Sequence, residues 1–262
     1  MPQLFTGKLA PKYHAKTLFF KNYYVAVPPP PTVSYYDLRL RSDSWGMFGN
    51  GPDTYQGQPF SGCGCCAGAA PYHQVELSTS YTQDVPTPTI NDVIALYEAV
   101  GGYDPSQTQQ DGSNPTDNGM ALTDVWDYLM KKGLILGWVA IDWTNFAHVT
   151  AALNIFGGLQ RGVQFPQSAM DQFNSGQNFD VVANDGGIVG GHALFDTGYR
   201  PDPLFPTVTW ARRVVKTPAW DLKYTDELYA LIFKSWLSNK TQMSPSHLNF
   251  SALNNDLQAL QQ

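Results

Sequence analysis

Basic residues are scarce in this chain. Sixteen Lys and Arg stand against 22 Asp and Glu, a net charge of −6. Without a basic stripe there is no electrostatic footprint for nucleic acid, and no nucleic-acid partner is expected. Long apolar runs are missing as well. None reaches the roughly 18 residues that a membrane span needs, so no membrane partner is expected. Cysteine is limited to Cys63, Cys65 and Cys66, too clustered for a distributed disulfide framework. That cluster has no second Cys or His cluster to complete a closed zinc site, so neither metal nor other cofactor is expected. The opening Met1-Pro2-Gln3-Leu4 lacks the charged-then-apolar pattern of a secretory leader, which favours a cytoplasmic or particle-associated protein.

What is present is enough to fold. Of 262 residues 43% are hydrophobic and only 15% charged, with 19 Pro and 23 Gly to punctuate the chain. This is the profile of one sizeable folded unit with many turns. Residues 1–41 read as an arm rich in Pro and aromatics, stiffened by Pro28 to Pro31 and packed on the body through residues such as Phe19, Phe20, Tyr23 and Tyr24. Residues 42–240 form the body and 241–262 a polar tail. Helices are expected from Cys66, from Thr89 to Val100 with a capping-box start, from Leu122 to Lys132, and from Asn145 to Phe156 before Gly157-Gly158. Strands follow at Leu159 to Phe165, His192 to Tyr199 and Thr207 to Val215; Asp226 to Leu237 returns to helical spacing. Helices first and strands later indicate an α+β class.

Chemistry concentrates in two places. Ser61 to Ala70 surrounds the cysteines with small residues, and a helix beginning near Cys66 would favour a thiolate there. A thiolate nucleophile needs a base, and Gly190-Gly191-His192-Ala193 presents His192 on a strand that other chain can approach closely. Cys63 and Cys65 remain alternative nucleophiles. The same features also suit three small buried hydrophobes and a core histidine. His73 and His148 read as structural or exposed.

Taken in order, these motifs resemble the papain-like cysteine peptidases, which carry a Cys opening a long helix and later a Gly-Gly-His-Ala strand. The nearest likeness is to papain-like open reading frames of bacteria and bacteriophages. It rests on Pro28 to Pro31, Met47-Phe48-Gly49-Asn50, Gly64-Cys65-Cys66, Gly102-Tyr103-Asp104-Pro105, Asp117-Asn118-Gly119, Gly190 to Ala193, Val208-Thr209-Trp210 and Asp226-Glu227. The resemblance spans residues 8–237 and implies a two-lobed fold, a helical lobe followed by an antiparallel β lobe. It further implies a thiol hydrolase of peptide or other amide bonds, with Cys66 as nucleophile and His192 as base. Phage particles or another assembly become candidate partners and the virion a candidate location.

The chain departs from the family at several positions. Val208 stands where an Asn would orient the His, leaving Thr207 or Thr209 as substitute. Phe60 stands where the oxyanion-hole residue is expected, leaving Asn50, Gln56 or Gln58 for that role. Pro71 falls where the nucleophile helix needs an N–H, so the helix should start late or kink. These departures favour an alternative, a catalytically silent papain-like module used for binding or as a structural part of a particle.

Overall fold

A computed structural model describes residues 4–12, 14–24, 33–34, 54–55, 58–60, 62–82, 88–233, 252–253 and 255–256. Four short strands come first: β1 (Leu18–Phe19), β2 (Val33–Ser34), β3 (Thr54–Tyr55) and β4 (Gln58–Pro59). Three helices follow, α1 (Cys66–Thr82), α2 (Ile90–Gly101) and α3 (Leu122–Lys131). The rest alternates: β5 (Ile135–Ala140), α4 (Phe146–Phe156), β6 (Leu159–Pro166), α5 (Gln167–Asn174), β7 (Ile188–Asp196), β8 (Gly198–Tyr199), β9 (Phe205–Thr209), β10 (Arg212–Lys216), α6 (Pro218–Tyr224) and β11 (Thr225–Phe233). Seven strands form one sheet in the order β1-β5-β11-β6-β7-β9-β10. Every pairing is antiparallel except that of β1 with β5. Among the described residues, no helix is long and apolar enough to cross a membrane.

Local chemistry explains the helix boundaries. Asp92 reaches back to the Thr89 N–H at 2.7 Å, and Gly102 closes α2 at φ 69°. Asn145 caps α4 by accepting from the Ala147 and His148 amides, and Gly157 ends it in the same left-handed conformation. Pro71 neither delays nor displaces α1, which runs unbroken from Cys66. Pro71 is inside the helix and can donate no hydrogen bond to the Ala67 carbonyl four residues back.

The segment after Thr225 corrects the sequence reading. Thr225–Phe233 is a strand, lying between β5 and β6 and buried on both faces but for Asp226. A short apolar run covered on both sides carries no period-2 signal, so its spacing mimics a helix. The stretch expected as one strand from Thr207 to Val215 is two, joined by a hairpin turn at Trp210-Ala211. Both turn residues have positive φ, 42° and 57°, in a conformation that normally selects Asn or Gly. Holding two non-glycine residues there costs of order 1 kcal/mol or more each, which packing must offset.

The β lobe also contains a buried ionic cluster. Asp196 on β7 lies 2.6 Å from Arg161 of β6 and 2.5 Å from Lys216 of β10. Asp221 of α6 stands 3.0 Å from Lys216 and 3.4 Å from Arg161. Two cations and two anions balance. Burial works against the charge on Asp196, but Arg161 and Lys216 outweigh it and hold the carboxyl below its usual range. The cluster ties the His192 strand β7 to β6, β10 and α6.

Candidate active site at the lobe interface

Helix α1 begins at Cys66 and packs against β7, which carries His192. Both side chains are fully buried, as are Cys63 and Cys65. Burial pushes the Cys66 thiol up to about 12, against hydrogen bonding from the Ala193 and Gly7 backbone amides and the nearby charge of Lys8. Cys63 is likewise held well above its usual range, by burial first and its contact with Cys65 second.

The His192 ring is held from several sides. Its Nε2 shares a 2.7 Å hydrogen bond with Thr209 Oγ1, at the end of β9. Trp210 stacks on it at 4.2 Å and 14° between planes, while Phe165 meets it edge-on at 5.2 Å. The strained turn is what lays the Trp210 ring flat on the imidazole, directly after the threonine that bonds it. Nδ1 is buried and has no hydrogen-bond partner among the described residues. Burial pushes the imidazole down to about 3, so it is neutral here. Val208 pairs with Phe195 in the sheet and is buried, and the neighbouring Thr209 makes the bond to the histidine.

What closes the site is the chain's own N-terminal segment, whose role the sequence did not reveal. Gly7 and Lys8 both donate their amides to Gly191 O, at 3.1 and 2.9 Å. On the helical side Met120 N donates to Gly7 O at 2.8 Å and Leu9 N to Met120 O at 2.9 Å. Trp210 Nε1 donates to Phe5 O at 2.8 Å. Residues 5–9 therefore form a strap that bridges the two lobes over Cys66. Two glycines make this contact possible. A Cβ on Gly7 would sit 1.6 Å from Gly64 O, and one on Gly191 2.0 Å from Lys8 O. The Gly190-Gly191 pair thus serves the strap's approach to the histidine strand. Asp117 completes the frame, accepting from Gly64 N at 2.9 Å and from the Tyr97 hydroxyl at 2.6 Å.

The structure places Thr209 against the His192 ring, and Cys66 at the start of α1, which packs on the His192 strand. Gln58 lies on β4, opposite Tyr55. Asn50, Gln56 and the Pro28 to Pro31 run fall outside the described residues. Phe60, at the departure from the family pattern, is half-buried with its ring 5.9 Å from that of Tyr55.

No family model and no curated protein sequence matches the chain. Solved structures do. Xylellain, a cysteine protease from Xylella fastidiosa, superposes with a TM-score of 0.56 over 87% of this chain and 96% of its own, at 12% identity. The fold is that of the papain-like cysteine proteases. Digestive procathepsin L 3 of Tenebrio molitor larval midgut gives a TM-score of 0.53 at 10% identity, over 85% of this chain and 76% of that one. At these identities the likeness establishes the papain-like fold, and the residues of this chain must carry any argument about chemistry.

Proposed function

We propose that the chain is a papain-like thiol hydrolase of peptide or other amide bonds, present here in a closed, latent state. The observation that supports this most is the placement of Cys66 and His192. A buried cysteine opens α1, which packs on a strand whose histidine is fixed by Thr209 and Trp210. Its second ring nitrogen has no partner among the described residues. In the reaction Cys66 Sγ attacks the amide carbonyl as its proton passes to His192. His192 then delivers that proton to the departing amine, and water hydrolyses the thioester to regenerate the thiol. Thr209 takes the orienting role, and backbone amides at the helix start support the oxyanion, with Asn50 or Gln58 as side-chain donor.

The closed state does not support this chemistry. With the thiol near 12 and the imidazole near 3, the proton stays on sulfur. Both shifts come first from burial, so lifting the strap would move both groups toward their ordinary values and toward proton transfer. Gly7→Ala places a methyl against Gly64 O and should dislodge the strap. The test is turnover of a mixture of fluorogenic peptides by this variant. Activity that disappears with Cys66→Ala supports the proposal; a folded, open variant that cleaves nothing counts against it.

A second reading is a catalytically silent papain-like module that serves as a binding or structural component, for example of a phage particle. It is favoured by the complete burial of both Cys66 and His192. The same turnover measurement separates the two.

A further inference from the structure

The strap does more than cover Cys66: it places a lysine in a socket. Lys8 lies one residue from Gly7, whose amide approaches the Cys66 sulfur. Its ammonium is fully buried, 3.0 Å from Asp226 Oδ2 and 2.9 Å from Glu227 Oε1 on β11. The two carboxylates are themselves positioned, Asp226 by Gln164 Nε2 at 2.6 Å and Glu227 by the Tyr229 hydroxyl at 3.1 Å. Room for the aliphatic stem comes from Gly162 on β6, where a Cβ would lie 2.8 Å from Lys8 Cδ. The result is a buried seat with an anionic floor, filled by a segment whose backbone lies next to the thiol.

We propose that this socket is a specificity subsite, and that the substrates of the site are peptides carrying a lysine or arginine adjacent to the residue placed over Cys66. This rests on the hydrolase reading above. Lys8 occupies the socket in the closed state, so the strap acts as a built-in substrate mimic and a basic peptide competes for the same place. A neutral or acidic side chain there leaves two partly or wholly buried carboxylates without a counter-charge, which strongly disfavours it. Selectivity then follows from the penalty on wrong residues as well as from attraction to the right one.

The test uses the full chain with Lys8→Ala, which vacates the socket, combined with Cys66→Ala for binding measurements. The probe is a fluorescent peptide of the chain's own residues Leu4–Ala10, compared with versions in which the lysine is norleucine or glutamate. Anisotropy should show the lysine peptide binding at least tenfold more tightly than either. Adding Glu227→Gln and Asp226→Asn should erase that preference. Equal binding of the three peptides, no binding of any, or a preference that survives removal of both acids would overturn the subsite. A second measurement covers a poorly folded Lys8→Ala. n-Propylamine replaces the missing stem and charge, so it should raise the melting temperature of that variant and not of one also carrying Glu227→Gln. No such difference would again count against the socket. Lysine-selective binding without cleavage by Lys8→Ala would sink the hydrolase reading and leave the subsite standing. Cleavage without lysine preference would do the reverse.

Discussion

Protonation of His192 gives a direct way to perturb the closed site. The imidazole is fully buried, burial lowers its pKa from 6.5 to about 3, and no carboxylate among the described residues is bonded to it. A depressed folded pKa means that the unfolded chain binds a proton the folded chain refuses. The stability contributed by neutral His192 is thus complete above pH 6.5 and is lost progressively between pH 6.5 and about 3. Each pH unit in that window is worth about 1.4 kcal/mol, so descending to pH 4.5 should cost roughly 2.7 kcal/mol through this group alone. Other groups titrate too, so the quantity to follow is the difference between wild type and His192→Gln, which cannot take up the proton. Urea unfolding at half-unit steps from pH 7.5 to 4.5 supplies it. Wild type should lose stability relative to the variant as the pH falls. A constant difference would mean that the ring is solvated. A difference of opposite sign would mean that the imidazole is charged and paired with a thiolate, and the closed-state account would fail.

Other expectations concern the frame around the site. Ala211→Gly relieves a left-handed alanine and should raise stability by about 0.5–1 kcal/mol, read as a higher melting temperature; a loss would place the strain elsewhere. Lys216→Met strips the ionic cluster of one cation and leaves Asp196 and Asp221 underpaired, costing roughly 3–5 kcal/mol by urea denaturation, with no effect expected if the cluster is hydrated. Thr209→Val leaves His192 Nε2 buried without a partner and should cost roughly 1–3 kcal/mol. Thr209→Ser, which keeps the hydroxyl, should restore most of that stability, and equal losses in both would show that only the methyl matters.

The papain-like fold was legible because its signals are local and ordered. Thr89 with Asp92, Asn145, and Gly102 and Gly157 each fix a helix end by chemistry within a few residues. The α+β order follows from where those helices fall. Elements buried on both faces were harder to read: β11 lost its alternation because neighbours cover both of its sides. The hairpin at Trp210-Ala211 was hidden because neither residue type signals left-handed backbone; only the surrounding packing holds them there. In the site, His192 and Cys66 stand out by their neighbours. The strap does not, because Thr6-Gly7-Lys8 is unremarkable until it meets Gly191, Met120 and β11, more than a hundred residues away. Asp226-Glu227 was visible as a motif, but its buried partner was not.

The reactivity of Cys66 distinguishes a closed Cys66–His192 site from an open or unpaired one. Iodoacetamide labelling at pH 6, mapped by peptide mass spectrometry, should be compared in wild type, Gly7→Ala and Gly7→Ala with His192→Gln. Wild-type Cys66 should label far more slowly than a free thiol, since its sulfur is enclosed and its pKa stands near 12. Gly7→Ala should label at least tenfold faster than wild type, and the added His192→Gln should take most of that gain away. Rapid labelling of the wild type would contradict the closed state. An opened Cys66 that reacts equally well without the histidine would contradict the Cys66–His192 pair.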